Sequence, residues 1–193
     1  MPTADFVPDR ALVAEAQVDG SLEAGSGDTR FLNLQLGLTD RLEFGVDYDA
    51  SDETTEPWLF NAKVLAVRGG AGKAVLAAGV RNLGDEKAPE GFAVSTWTRG
   101  RLRGHLGLTY SEDREADAIV GFDYEWTPGW WGFGEWTSGR EHAGALGVNV
   151  PLPGPFDLMT GLILPNQGGE DVAYTIHLVY SVPWPCCSGG KKE

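Results

Sequence analysis

Between residues 30 and 49 the chain alternates apolar and other positions with a period of two. Leu32, Leu34, Leu36 and Leu38 are followed, after Thr39-Asp40-Arg41, by Leu42, Phe44, Val46 and Tyr48. The places between hold Asn33, Gln35, Gly37, Glu43, Gly45 and Asp47. Successive side chains of a strand point to opposite faces, so each run has one apolar face and one polar or small face. The same texture predicts strands over about 11–18, 30–38, 42–49, 58–68, 73–83, 91–99, 101–110, 117–126, 130–137, 142–150, 156–164 and 172–182. The ninth has no clear phase, because Trp130, Trp131, Phe133 and Trp136 fall on both faces. The count is about 12, with 10 to 14 inside the error of strand boundaries.

The connections alternate too. Those at 19–29, 50–57, 84–90, 111–116, 138–141 and 165–171 are polar and mostly long. The others are short and rich in Gly, Pro or Thr-Asp, as in Gly69-Gly70-Ala71-Gly72 and Thr127-Pro128-Gly129. Long and short connections in turn are what an antiparallel up-and-down barrel needs, and closure removes its exposed edges. The expected organisation is an irregular lead (1–10), a single barrel domain (11–184) and a tail (185–193).

Charge sorts with loop parity. The net charge is −13. The long loops, with the strand ends beside them, hold seventeen acids against four bases, an excess equal to that whole charge. All of these loops emerge at one end of an up-and-down barrel, so one rim is expected to be acidic and the other nearly neutral. A nucleic-acid partner is excluded on this balance, since phosphate binding needs clustered Lys and Arg.

The apolar face points either into a dry core or out into lipid. A soluble barrel would carry a well-charged outer face. Here the face opposite the apolar one repeatedly carries glycine, at Gly37, Gly45, Gly79, Gly107, Gly121, Gly147 and Gly161. Glycine weakens a solvated strand face but leaves room inside a narrow barrel. Aromatic residues gather near strand ends at Tyr48, Trp58, Tyr110, Trp126, Trp130, Tyr174 and Trp184, the positions of the interfacial girdles of a membrane barrel. No run approaches the roughly 18 apolar residues of a membrane helix, but a spanning strand needs only about 9–11, half of them apolar. The fold expected is therefore all-β, an antiparallel transmembrane barrel. The runner-up is a soluble or periplasmic lipocalin-like barrel that binds an apolar ligand.

The unit LQLGLTDRLEFGVDYD (34–49) resembles the strand–tight turn–strand of bacterial outer-membrane β-barrel proteins of the small porin-like class. The lead PTADFVPDRALVAEAQV resembles the mature start of several such barrels, and AYTIHLVYSVPW (173–184) resembles the terminal strand read by the barrel-assembly machinery. Nine residues follow Trp184, where chains of that class usually stop. The resemblance implies a Gram-negative outer-membrane location and the bilayer and assembly machinery as partners; it implies no substrate. The start Met1-Pro2-Thr3-Ala4-Asp5 has neither the basic stretch nor the apolar run of a signal peptide, which weighs against export.

With the apolar face outward, the lumen would hold Glu43, Asp47, Lys63, Arg81, Arg101, Arg103, His105, Asp123, Glu125 and His177, together with Glu15, Gln17, Asn33, Gln35, Asn61 and Asn149. Buried charges must pair or stay wet. Two interiors fit: a salt-bridged plug, or a narrow pore passing small polar solutes. Catalysis is not expected. His177 lies in phase with Thr175 and Ser181, and Asp123 with Glu125, but neither set comes with an oxyanion-hole signature, and both suit a polar lining. No cofactor or metal is expected. The acidic loops fit no calcium cage, and the adjacent Cys186 and Cys187 bring too few further ligands.

Overall fold

The structure, a computed structural model, describes residues 7–23, 28–51, 57–69, 74–84, 89–111, 116–139 and 142–183. Its twelve strands are β1 (Ala11–Ser21), β2 (Thr29–Gly37), β3 (Leu42–Asp49), β4 (Trp58–Val67), β5 (Val75–Leu83) and β6 (Glu90–Arg99), followed by β7 (Leu102–Ser111), β8 (Asp117–Thr127), β9 (Trp130–Thr137), β10 (Ala143–Pro151), β11 (Phe156–Pro165) and β12 (Ala173–Pro183). Each pairs antiparallel with its sequence neighbours, and β12 pairs with β1 to close the barrel. The strand ends at 37 and 42, 67 and 75, 99 and 102, 127 and 130, and 151 and 156 lie at one end, the short-turn end, with the start of β1 and the end of β12; the remaining strand ends lie at the other, the long-loop end.

The register fixes the dimensions. Followed once around the barrel, it returns to β1 displaced by about 14 residues. For twelve strands that stagger gives a tilt of about 40° and a backbone radius of roughly 11 Å. A ten-residue strand is about 33 Å long and, so tilted, spans about 25 Å along the axis, the height of the apolar band of a membrane barrel.

The apolar rows face outward. Leu34 is 39% exposed, Val120 45% and Leu106 56%. Phe44 shares this face and stacks on Phe60. Buried hydrophobics among the described residues number only five, namely Val7, Leu65, Ala77, Val94 and Ile119. Such a core is far too small for a soluble domain of this length, whereas the exposed apolar band far exceeds the patches found on soluble monomers.

The ninth strand gains its phase from its neighbours. Glu125 pairs with Trp131 and Asp123 with Phe133, which turns both rings inward. Trp130 and Trp136 point out, 43% and 45% exposed. The glycines between them are cross-strand seats for rings: a Cβ on Gly134 would lie 2.5 Å from Phe122, and one on Gly132 the same distance from Trp126. Some inner glycines do the same. Phe92 covers Gly79 and Phe133 covers Gly147, so these two do not widen the hollow but receive a ring. Gly147→Val is expected to lower stability by about 1–3 kcal/mol, because its Cβ would meet Phe133 and the Thr160 carbonyl at 2.4 Å. Gly168→Ala, with open space around it, should leave the unfolding midpoint in urea unchanged.

Candidate functional site

The enclosed face of the wall is the candidate site. Its side chains follow from strand parity and register. On one side, Glu43 of β3 pairs with Lys63 of β4 at 3.0 Å, and Asp47 accepts a 2.5 Å hydrogen bond from the Asn61 amide. Arg81 of β5 pairs with Glu90 of β6 at 2.7 Å. Farther round, Asp123 of β8 receives Arg103 at 2.5 Å and lies 2.8 Å from His105 Nε2. His105 Nδ1 faces the Thr96 hydroxyl at 2.8 Å, and the Arg103 guanidinium lies 4.9 Å from the centre of the Trp131 ring. At the β12–β1 seam His177 lies 2.9 Å from Glu15 and 2.6 Å from the Thr175 hydroxyl, which also donates to Asp19. Glu15 further accepts from Asn33. Each of these ion pairs and cross-strand bonds joins adjacent strands, so they run along the wall and do not bridge the hollow.

Two residues differ from a simple lining. Glu125 accepts from the Gly129 backbone N–H at the turn after β8. Arg101 lies in the Gly100–Arg101 turn, exposed, and donates to the Trp126 carbonyl. The inner wall also has an apolar sector, where Ala77 and Val94 are fully buried with Val75 and Phe92 packed against them. Gln35, inward by parity, is exposed, so this part of the inner wall is open.

Two acid–histidine–hydroxyl chains are present, Asp123–His105–Thr96 and Glu15–His177–Thr175. The first was not apparent from the sequence, because its members lie on three strands. In both, the hydroxyl belongs to a strand whose backbone N–H groups are engaged in the ladder.

The outward aromatics fall into two belts. Tyr48, Trp58, Tyr110, Trp136 and Tyr174 lie toward the long-loop end, with Tyr48 and Trp58 in ring contact at 4.8 Å. Trp97, Trp126, Trp130, Phe156 and Tyr180 lie toward the short-turn end, with Phe156 and Tyr180 at 5.1 Å. Trp97 and Phe156 are not assigned to a belt from the sequence; Tyr180 is legible there only as sharing the apolar face of Tyr174, and Trp136 lies in the strand without a clear phase. Trp184, Cys186 and Cys187 lie outside the described residues, as do Asp52, Glu53, Glu56, Asp85, Glu86, Glu112, Asp113, Glu115 and Glu141. At the long-loop end the described residues include Glu23, Asp28, Asp49, Glu170 and Asp171. Among the described residues the short-turn end carries Arg10, Arg41, Arg68, Arg99 and Arg101 against Asp9, Asp40, Glu125 and Asp157, an excess of a single positive charge.

No family model and no curated protein matches the chain. Among solved structures, the chain is similar to one from work on the in-meso crystallisation of membrane proteins, with a TM-score of 0.58 and 13% identity over 89% of this chain and 83% of that one. It also aligns with the N-terminal β-barrel domain of Pseudomonas aeruginosa OprF at 12% identity, over 90% of this chain and 98% of that one, but with a TM-score of only 0.29. The first likeness is one of fold, and the protein is a closed twelve-stranded antiparallel β-barrel.

Proposed function

We propose that the protein is a bacterial outer-membrane barrel that acts as a narrow passive channel for small polar solutes, without catalysis. The observation that carries this reading is the direction of the inner pairs. Glu43–Lys63, Arg81–Glu90 and Arg103–Asp123 each lie between neighbouring strands. A backbone radius of roughly 11 Å then leaves a hollow that these side chains edge but do not fill. The exposed Leu, Val and aromatic rows supply the lipid face, and the two ring belts supply its boundaries.

The acidic end concentrates cations at the mouth and repels anions, an effect that salt screens. The test is single-channel recording of the purified full chain in planar bilayers. Discrete steps with modest cation preference, weaker at 1 M than at 0.1 M salt, are expected. A folded and inserted barrel that yields no steps above the detergent control would make it a purely structural barrel.

A further inference from the structure

The lead before β1 does not run away from the barrel. Val7 is 8% exposed, and its backbone N–H donates to Glu43 Oε2 at 2.8 Å. Glu43 points inward, 7% exposed, and its other oxygen holds Lys63. Gly37 is Glu43's partner across the β2–β3 ladder and so shares its inward face. A Cβ on Gly37 would lie 2.0 Å from the Pro8 carbonyl oxygen and 2.7 Å from that of Val7. Glycine at this position therefore makes room for the lead against the inner wall. The lead returns to the strand through Arg10, whose φ of 56° is a left-handed conformation that a non-glycine residue holds only when its surroundings impose it. Two backbone bonds impose it here, from Arg10 N–H to the Gly37 carbonyl and from Ala11 N–H to the Pro8 carbonyl.

We propose that Val7–Arg10 is an internal constriction: the lead folds into the short-turn mouth, is latched there by the Glu43 carboxylate, and narrows the channel. It rests on the channel reading given above. A loose terminal segment would gain nothing from a buried carboxylate aimed at its backbone, nor from a glycine cleared beneath it. The latch is also economical in charge, since Glu43 is shared between the Val7 amide and the Lys63 ammonium and neither oxygen is left bare in the wall.

The full chain, carrying Cys186→Ser and Cys187→Ser, tests this with one reporter cysteine at a time. Val7→Cys should react with a membrane-impermeant maleimide about tenfold or more slowly than Asp9→Cys, since a charge-assisted bond holds the lead closed. Gly37→Val, by steric ejection, and Glu43→Ala, by loss of the acceptor, should each bring Val7→Cys to the Asp9→Cys rate. Glu43→Gln, which keeps an acceptor oxygen, should fall between. In bilayers the two releasing changes, made without reporters, should raise unit conductance severalfold; heat-modifiable migration in gels shows which variants are folded. Equal labelling of Val7→Cys and Asp9→Cys in the parent would overturn the latch. Release with unaltered conductance would overturn the constriction while leaving the channel. Labelling that responds as expected in a barrel that never conducts would instead sink the channel reading and keep the latch.

Discussion

Leu34→Arg is expected to abolish assembly of the barrel into bilayers, while Gln35→Arg, one residue along, should leave it intact. Leu34 lies near the middle of β2 on the outward face, 39% exposed, and pairs with Ala14 and Val46, which share that face. An arginine at the midplane of a membrane barrel costs about 2–4 kcal/mol, a large part of the stability of an ordinary domain. Gln35 turns inward and is exposed. A guanidinium there reaches water and carboxylates, so stability should change by less than about 0.5 kcal/mol while the cation preference of the channel weakens. Folding yield in vesicles, read by heat-modifiable migration, checks the pair. Equal harm or equal tolerance would contradict the facing of β2.

The second large effect is expected at Asp123. One carboxylate oxygen serves both Arg103, at 2.5 Å, and His105, at 2.8 Å, and His105 is 1% exposed. Asp123→Ala removes the carboxylate that Arg103 and His105 share and leaves the buried His105 Nε2 without that partner. Leaving a buried polar group such as His105 without its partner costs about 1–3 kcal/mol, and the weakened hold on Arg103 puts the expectation at the upper end, about 3 kcal/mol. Asp123→Asn keeps an acceptor and should lose about half as much. Urea unfolding of the barrel in vesicles measures both. A loss below about 0.5 kcal/mol for the alanine variant would mean that Asp123 is not what holds Arg103 and His105 in the wall.

Much of this architecture is legible in the sequence because a strand exposed to two different media must alternate. Leu32 to Tyr48 reads directly as two strands and a turn, since each outward position is apolar and each inward one is polar or glycine. The reading falters where both faces want the same residue type. In β9 the aromatic residues serve the outer belt at Trp130 and Trp136 and the inner wall at Trp131 and Phe133, and only the pairing with β8 separates them. Gly132 and Gly134 were the available clue: they belong to the outward set as seats for rings of the neighbouring strand.

The site was less legible than the fold. Which residues carry charge inside follows from parity, but which charges meet depends on register, which the sequence does not display. Asp123 with His105 and Glu15 with His177 are joined across strands, the second pair between the first strand and the last. The lead was unreadable for another reason. Its burial depends on one glycine and one carboxylate of β2 and β3, and nothing in residues 7–10 announces an inward course.

The central claim is that the apolar rows meet hydrocarbon while the polar rows enclose water. Single cysteines at Leu34, Gln35, Val120 and Gly121, labelled with a fluorophore in the Cys186→Ser, Cys187→Ser chain and reconstituted in brominated phospholipid, test it most directly. Strong quenching at 34 and 120 with little at 35 and 121 is the result predicted. The same quenching at all four positions, or a barrel that stays in the aqueous phase with 34 and 120 shielded, would contradict it.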